Sequence, residues 1–397
     1  MTSLPYPVYD ADNHYYETAD AFLRYLPKQY RNEFQYVEVR GRTKLAVAGQ
    51  ITNYIPNPTF EVVAAPGSHE KWYRAQNPDG LSLRELQGAP ITSPESFRSS
   101  TERLKLMDEQ GLHASVFFPT LASVIEERMN HDHVLMASVV HSLNQWVDEE
   151  WGFAREGRIF AAPVISLADV DLAIDELEWA LKRGARSICM RPAPISGYRS
   201  RRSPGAAEFD PFWARCAEAK IFVNLHLSDS GYDQHYRKWS GGEGQESVGF
   251  EKADPLIGMF DPMSRAIFDM ISALICHGVA DRHPDIRFVS VENGSVWMKE
   301  LVRMFKKVYG QGPQQFARDP IENLRRNFFV VPFYEDNIQE LVEMMGVNRV
   351  LFGSDYPHAE GLGDPLSFVD ELKGFNDADI KLIMSDNMKG LLEGARN

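Results

Sequence analysis

The sequence predicts one (β/α)8 barrel, a TIM barrel, on two observations. Eight short apolar segments alternate with amphipathic segments, which is typical of buried parallel strands joined by crossover helices. The segment DADNHYYE at the end of the first strand contains no glycine, whereas an open doubly wound sheet usually carries a Gly-rich phosphate turn there. The length of 397 residues accommodates one barrel with insertions, and we interpret residues 1–397 as a single domain.

The predicted strands are short apolar runs, and helices with apolar residues at spacings of three and four lie between them. The predicted strands are 8–15, 114–119, 159–166, 187–192, 221–228, 286–293, 327–333 and 350–356. The predicted helices are 132–156, 169–183, 211–220, 263–281, 297–308 and 337–345. No internal repeat of fixed period interrupts this alternation.

Two segments do not follow the alternation of strands and helices and are predicted to be insertions after strands one and five. Residues 35–94 are rich in Pro, Gly and Asn, and residues 229–262 contain SGGEGQESVG. Loops at the C-terminal ends of barrel strands surround the active-site mouth, so we expect these insertions to form a lid over it. A solvated surface loop is the alternative for each.

Composition excludes several classes of protein. The formal net charge is −14, and no lysine or arginine run forms a stripe, so nucleic-acid binding is not predicted. The cysteines, Cys189, Cys216 and Cys276, show no CxxC spacing, which argues against a disulfide framework or a zinc ribbon. The first residues lack a signal-peptide pattern, and no run approaches about 20 apolar residues, so we expect a cytoplasmic protein without a membrane anchor.

Residues that can bind a metal stand at the ends of four predicted strands. They are Asp12, His14 and Glu17 on the first strand, His226 on the fifth, Glu292 on the sixth, and Asp355 and His358 on the eighth. Asp12 and His14 are two residues apart, so their side chains point the same way. Singly, each residue could cap a turn or be a hydrogen-bonded core residue. Together, buried carboxylates and histidines need a compensating cation, which predicts a divalent metal.

The same residues give the chain a family resemblance. It resembles the amidohydrolase-related (amidohydrolase 2) family, the TIM-barrel metal-dependent hydrolases that include aminocarboxymuconate-semialdehyde decarboxylase. The family pattern D-x-H-x-H matches Asp10 and His14, with Asp12 in place of the first histidine. The family's fifth-strand histidine falls on His226, and its GSDxP motif falls on GSDYP, where Asp355 is the metal-binding aspartate. The segment GVADRHPDIRFVSVENG resembles the element that precedes strand six.

The resemblance covers nearly the whole chain, and one departure from it concerns chemistry. Relatives commonly carry His-Gly-Gly after strand six, whereas this chain has Glu292-Asn293-Gly294. With Asp12 and the additional Glu17, the predicted ligand set is rich in carboxylates. Hard oxygen ligands favour manganese or iron over a lone zinc and leave room for one or two ions.

Two mechanistic classes stay open at this stage. In the first, the metal polarises a substrate carbonyl or carboxylate and activates water, while Glu292, Asp355 or His358 moves the proton in hydrolysis or non-oxidative decarboxylation of a small carboxylated or aromatic molecule. In the second, two ions activate dioxygen, as in the family's small branch of non-haem dinuclear-iron monooxygenases. The DNHYYE and VENG variants favour this branch. Zinc, manganese and iron are all candidate metals.

Substrate contacts and partners are predicted more broadly. The candidates for substrate binding are Arg191, Phe118, Trp297 and Tyr334, with an internal ion pair or core packing as the alternative role for each. The expected partners are a small-molecule substrate and a second copy of the chain, or a paralogous subunit. A catalytically inactive partner subunit is a third reading, and the retention of His14, His226 and Asp355 argues against it.

Overall fold

A computed structural model of the chain describes residues 4–197, 200–241 and 255–394. Its strands, in chain order, are β1 Tyr9–Tyr15, β2 Phe34–Val39, β3 Arg42–Val47, β4 Gln50–Thr52, β5 Val62–Val63, β6 Ile91–Thr92, β7 Ala114–Pro119, β8 Ile159–Ala161, β9 Ser187–Met190, β10 Phe222–His226, β11 Arg287–Val291 and β12 Phe328–Val330. The barrel strands are buried almost throughout, as expected when helices cover the outside of a parallel sheet.

The described helices lie between the barrel strands, within the insertions and at the C-terminal end. They are α1 Glu70–Tyr73, α2 Leu83–Gln87, α3 Ser100–Gln110, α4 Ile125–Arg128, α5 His133–Glu150, α6 Val170–Leu181, α7 Asp210–Glu218, α8 Asp233–Ser240, α9 Pro255–Phe260, α10 Pro262–Cys276, α11 Val279–Arg282, α12 Met298–Gln311, α13 Pro320–Asn327, α14 Ile338–Met345, α15 Asp377–Lys381 and α16 Asn387–Gly394. None of them is long and apolar enough to cross a membrane.

Parallel strands form a closed cylinder, which confirms the predicted barrel. One sheet has the order β1-β7-β8 and the other has the order β12-β11-β10-β9. Single parallel bridges join the two sheets, Val164 to Cys189 on one side and Val330 to Val350 on the other. A further bridge from Asn13 to Tyr356 closes the ring through the predicted eighth strand. That segment, 350–356, therefore completes the barrel with isolated bridges.

The predicted boundaries differ from the observed ones where Pro or Gly interrupts the backbone pattern. The third predicted strand ends early at Ala161 because Pro163 has no N–H to donate to the ladder. The predicted helix 263–281 is divided into α10 and α11 at Gly278, whose φ of +76° is left-handed. Helices α3 and α13 were not predicted, and α3 begins at a Ser99 side-chain cap.

The insertion after β1 packs beside the end of the eighth barrel segment. It contains a three-stranded antiparallel sheet, β2-β3-β4, and the short pair β5-β6. The backbone N–H of His69 donates to the carbonyl of Ala359 at 2.8 Å, and that of Gly67 donates to the carbonyl of His358 at 3.3 Å. These bonds hold the insertion against the loop that follows Asp355. Of the second insertion, α8 and α9 are described, and residues 242–254 lie outside the described residues.

Candidate metal centre

The first barrel strand presents Asp12 and His14 to the cylinder interior. Both side chains are buried, and the pairing register of β1 against β7 shifts between Asp10 and Asn13. Such an irregularity re-aims side chains, and bulges of this kind are common next to active sites. The register shift thus places an acidic residue and a histidine on the same face at the strand's C-terminal end.

Four side chains, from β1 and from three other barrel segments, meet around the imidazole of His14. Its Nε2 lies 3.4 Å from Asp12 Oδ1, 3.5 Å from Glu292 Oε2, 3.4 Å from Asp355 Oδ1 and 3.3 Å from His226 Nε2. His226 Nε2 in turn lies 3.2 Å from Glu292 Oε2. We call these five residues, Asp12, His14, His226, Glu292 and Asp355, the metal cluster.

The spacing of these atoms fits a shared divalent cation. Nitrogen and oxygen ligands bind such an ion at about 2.0–2.2 Å, which places neighbouring ligand atoms roughly 3–3.5 Å apart. The measured separations around His14 Nε2, 3.3–3.5 Å, fall in this range. The buried oxygens Asp12 Oδ1 and Asp355 Oδ1 also have no hydrogen-bond partner among the described residues. Unpaired buried carboxylate oxygens are costly, and a cation would satisfy both.

Hydrogen bonds to the opposite ring nitrogen orient His226. Its Nδ1 lies 2.8 Å from the carbonyl oxygen of Leu227, which can only accept, so Nδ1 carries the proton. The Nε2 lone pair then points at the metal cluster. Histidine ligands in metal sites are usually fixed in this way by a carbonyl or carboxylate on the far nitrogen.

His358 lies at the edge of the metal cluster. Its Nδ1 is 2.7 Å from Asp355 Oδ1, and its Nε2 is 3.2 Å from Thr120 Oγ1. The Thr120 hydroxyl donates to the carbonyl of Tyr15 at 3.1 Å, so it accepts from His358 Nε2. Burial, and next the charge of His14, lower the pKa of His358 to about 4, which favours the neutral ring. A neutral ring bonded in this way turns the Nδ1 lone pair toward Asp355, an arrangement that a cation would stabilise.

Two members of the metal cluster have left-handed backbone conformations. The φ angles are +57° at Glu292 and +54° at Asp355. Positive φ is uncommon for residues other than glycine, and strained conformations concentrate at functional sites, where the surrounding structure enforces them. Glu292 directly follows β11, and Asp355 lies near the end of the segment 350–356, so the strain turns each carboxylate into the mouth of the cylinder.

The carboxylates of the cluster differ in acidity. Burial raises the pKa of Glu292 to about 7 and raises the pKa of Asp355 well above its usual range, helped there by the charges of Glu292 and Asp12. Burial would also raise the pKa of Asp12, but the nearby imidazoles of His14 and His226 outweigh it and hold that pKa below its ordinary value. Without a cation, the site therefore favours protons on Glu292 and Asp355.

Metal stabilisation is expected to increase with pH. Burial raises the folded pKa of Asp355 well above its unfolded value of about 3.9, so the metal-free fold loses stability as the pH rises from the unfolded toward the folded pKa. A cation bound by Asp355 would replace that proton and remove the loss. We expect the Tm increase caused by Mn²⁺ to be larger at about pH 8 than at about pH 6. Equal increases at both pH values would contradict this.

The structure does not bring every predicted ligand or substrate contact into the cluster. The Glu17 carboxylate accepts backbone N–H bonds from Thr120, Leu121 and Ala122 at 2.8–3.3 Å, so it caps the turn after β7. Proximity to His14 in sequence suggested a ligand, but the chain leaves the strand after Tyr15. Arg191 Nη1 bonds Glu127 Oε2 at 2.9 Å, which corresponds to the alternative internal ion pair.

The three predicted aromatic contacts have different surroundings. Phe118 packs on the metal cluster, with its ring centroid 4.3 Å from that of His226. Trp297 donates from Nε1 to the carbonyls of Asn293 and Gly294, so it supports the loop after Glu292. Tyr334 lines the cavity that opens beside the cluster. Only Tyr334 of the three is therefore placed to meet a substrate in that cavity.

The cavity also exposes residues that sequence reasoning missed. Its lining includes Asp12, Glu292 and Asp355 of the metal cluster, together with Tyr73, Leu227, Met263, Phe333, Tyr334, Glu335 and Glu360. Tyr73 comes from the insertion after β1, where no periodic pattern identified it. Glu360 follows the GSDYPH segment by two residues, and its charge contributes to raising the pKa of Asp355. The only sequence signal for Glu360 was its position shortly after the recognised motif.

Comparison with known proteins identifies the family of the chain. The amidohydrolase family model matches residues 91–389. The chain belongs to the amidohydrolase family. The match begins after β1, so Asp12 and His14 lie outside it and are placed in the site by the fold. Among curated proteins, no match was found.

Several solved structures resemble the chain. An amidohydrolase from Mycobacterium avium subsp. paratuberculosis K-10 is 40% identical, with a TM-score of 0.91, and the alignment covers 98% of this chain and 100% of that one. A 2,6-dihydroxybenzoate decarboxylase from Rhizobium is 17% identical, with a TM-score of 0.57 and coverage of 84% and 97%. A 5-carboxyvanillate decarboxylase from Novosphingobium aromaticivorans DSM 12444, complexed with manganese, is 14% identical, with a TM-score of 0.60 and coverage of 98% and 96%.

Proposed function

We propose that this amidohydrolase-family protein is a metal-dependent decarboxylase of a small aromatic carboxylic acid, with hydrolysis of a related acid derivative as the alternative reaction. The observation that carries the proposal is the metal cluster opening onto a cavity walled by Tyr73, Phe333 and Tyr334. Two proteins of similar fold are named as decarboxylases of aromatic acids, and one of them holds manganese. These names support the reaction class, and the choice of manganese among divalent metals is part of the proposal.

Charge makes binding of an acid dependent on the cation. Five carboxylates line the cavity, on Asp12, Glu292, Glu335, Asp355 and Glu360, and no lysine or arginine is among its described lining residues. An anionic substrate would be repelled by these groups alone. A divalent cation held by the metal cluster would attract and polarise the substrate carboxylate. The aromatic walls would then contact the ring of the substrate.

Decarboxylation also needs a proton donor beside the ring. The reaction breaks the bond between the ring carbon and the carboxyl carbon, leaves the electron pair on the ring carbon, and places a proton there as CO₂ departs. Glu292 lines the cavity, and burial raises its pKa to about 7, so its carboxyl can hold a proton near neutral pH. We assign Glu292 the role of proton donor, with Asp355 and His358 as the neighbouring alternatives.

Access to the site requires movement of its lining. The space open to water-sized molecules is about 50 Å³, which is room for a few waters. An aromatic acid is larger, so the side chains contributed by the insertion after β1 and by residues 331–335 have to move apart for it to enter. Tyr73 and Tyr334 come from these two segments and are the side chains that we expect to move.

A turnover assay tests the proposal. The protein is stripped of metal, reloaded separately with Mn²⁺, Zn²⁺ or Fe²⁺, and incubated with 2,6-dihydroxybenzoate, 5-carboxyvanillate and analogues that lack the carboxyl group. We expect CO₂ release from at least one acid in the loaded protein, and loss of at least about 99% of it on chelation, because the acidic cavity cannot hold the substrate alone. Turnover that persists without metal would contradict the proposal. So would a loaded protein that binds none of these acids.

A second function is favoured by one observation. The metal-capable residues form two overlapping groups, Asp12, His14 and His226, and His14, Glu292, Asp355 and His358. Together they comprise six different residues, which would provide enough ligands for two ions. We propose a dinuclear non-haem oxygenase as this second candidate. Two irons per chain with substrate-dependent oxygen consumption would favour it over decarboxylation.

A further inference from the structure

Behind the metal cluster lies a continuous set of buried polar residues that the proposed reaction does not use. It consists of Asp10, Asn13, Arg103 and Ser354, each at most 1% exposed. We call these four residues the support network. Burying a carboxylate and a guanidinium is costly unless both are well bonded, so their presence in the core needs a physical reason.

Asp10 is the centre of the support network because it joins two barrel segments. Its Oδ1 accepts from the backbone N–H of Asp12 at 3.1 Å and from that of Ser354 at 2.9 Å. Its Oδ2 accepts from Asn13 Nδ2 at 3.0 Å and from Ser354 Oγ at 2.6 Å. Four donors therefore converge on one carboxylate, two from β1 and two from the segment that carries Asp355.

Arg103 supplies the balancing charge from helix α3. It donates from Nη1 to Asn13 Oδ1 and from Nε to the carbonyl of Ser96 at 2.7 Å. Its guanidinium also lies 5.3–5.8 Å from the ring centroids of Phe97, Phe117, Trp151 and Tyr356. The Asn13 amide thus links a buried cation to a buried anion, so both ends of the support network are held in fixed positions.

The support network ends at two metal-cluster residues. The backbone N–H of Asp355 donates to the carbonyl of Asp12 at 2.8 Å, directly beside the bonds that Asp10 makes. Asp12 lies where the register of β1 shifts, and Asp355 has a φ of +54°. Neither backbone conformation is the relaxed one for a strand, and both need neighbouring bonds to persist.

We propose that the support network positions Asp12 and Asp355 as ligands, and that its residues act on the metal only through these two carboxylates. The inference rests on the metal dependence in the proposed function and adds a role for Asp10, Asn13, Arg103 and Ser354. Outer hydrogen-bond partners of metal ligands typically change metal affinity by about 10–100-fold when they are removed.

Ser354→Ala is the least disruptive test, because it removes one oxygen atom and leaves Asp10 with the Asn13 bond. The matched control is Ser142→Ala, since the equally buried Ser142 hydroxyl donates to the carbonyl of Phe22 at 2.8 Å in another part of the chain. We expect the Kd for Mn²⁺, measured by titration of the purified full chain, to rise about 10–100-fold in Ser354→Ala and to change less than about twofold in Ser142→Ala.

Asn13→Ala provides a second test that separates the link to Arg103 from the link to Ser354. Its control is Asn327→Ala, because Asn327 is also buried and donates to the carbonyl of Ile286 at 2.8 Å. We expect Asn13→Ala to weaken Mn²⁺ binding at least as much as Ser354→Ala. The electron paramagnetic resonance spectrum of bound Mn²⁺ should broaden in both variants and remain unchanged in both controls, which reports ligand geometry independently of activity.

A purely structural role would give a different pattern. The variants would then lower the Tm of the metal-free protein but keep the wild-type Kd and Mn²⁺ spectrum, and this result would overturn the inference while leaving the proposed function intact. Wild-type protein that binds no divalent metal would overturn both. Variants that fail to fold while their two controls fold would count against a specific effect on the ligands.

Discussion

Asp355→Asn is expected to remove most of the bound metal and to reduce kcat/KM by at least about a hundredfold, an effect as large as that of losing an essential catalytic group. Asp355 Oδ1 lies 3.4 Å from His14 Nε2 and 2.7 Å from His358 Nδ1, so it contacts two other metal-capable residues of its group. The amide keeps the shape of the side chain but loses the negative charge that a cation needs. Metal content after dialysis, together with the steady-state rate, measures the effect.

Asp364→Asn is the matched control for this substitution. Asp364 caps a helical turn by accepting the backbone N–H of Leu366 at 3.1 Å, and it lies outside the metal cluster. We expect this variant to keep its metal and to retain kcat/KM within about twofold, because loss of an exposed cap affects mainly stability. Retention of wild-type metal content by Asp355→Asn would remove Asp355 from the set of ligands.

Glu292→Gln should lower kcat by about 10²–10⁴-fold, with a smaller loss of metal affinity than Asp355→Asn shows. Glutamine cannot donate the proton that the ring carbon needs, although it retains an oxygen able to face His226. Because the pKa of the Glu292 carboxyl is about 7, the pH profile of the wild-type rate should fall as the pH rises through that region. This decrease with rising pH should be absent from the pH profile of the variant's residual rate.

Glu176→Gln is the control for Glu292→Gln. The Glu176 carboxylate is also paired with a histidine, at 2.6 Å from His141 Nδ1, but it lies on helix α6 outside the cylinder. Its replacement should leave kcat and the pH profile unchanged. A Glu292→Gln enzyme with kcat within about tenfold of wild type would assign the proton transfer to another group, with Asp355 and His358 as the remaining candidates.

The sequence pattern was sufficient to predict the barrel and the meeting of His14, His226 and Asp355. Parallel strands in a closed barrel bring their C-terminal ends to one rim, so residues at strand ends far apart in sequence become neighbours. The same reasoning failed for Glu17. Alternation along a strand says where a side chain points only while the strand continues, and β1 ends at Tyr15.

The cavity was less predictable than the ligands. Tyr73 reaches it from an irregular insertion, and no periodicity relates that insertion to the barrel. Arg191 shows a different limit of prediction from sequence. A charged residue at a strand end can bind a substrate or form an ion pair with another side chain. Its partner, Glu127, is distant in sequence, so only the folded chain distinguishes the two roles.

The seam beside β1 has a consequence for the dynamics of the molecule. Isolated bridges to the segment 350–356, in place of a regular ladder, join the two sheets there. The metal cluster draws on both sheets and on this segment, through His14, His226 and Asp355. An ion held by all three would cross-link the cylinder wall at this seam. Local opening of the wall at this seam would then release the ion. The lifetime of the bound ion would therefore follow the rate of this opening.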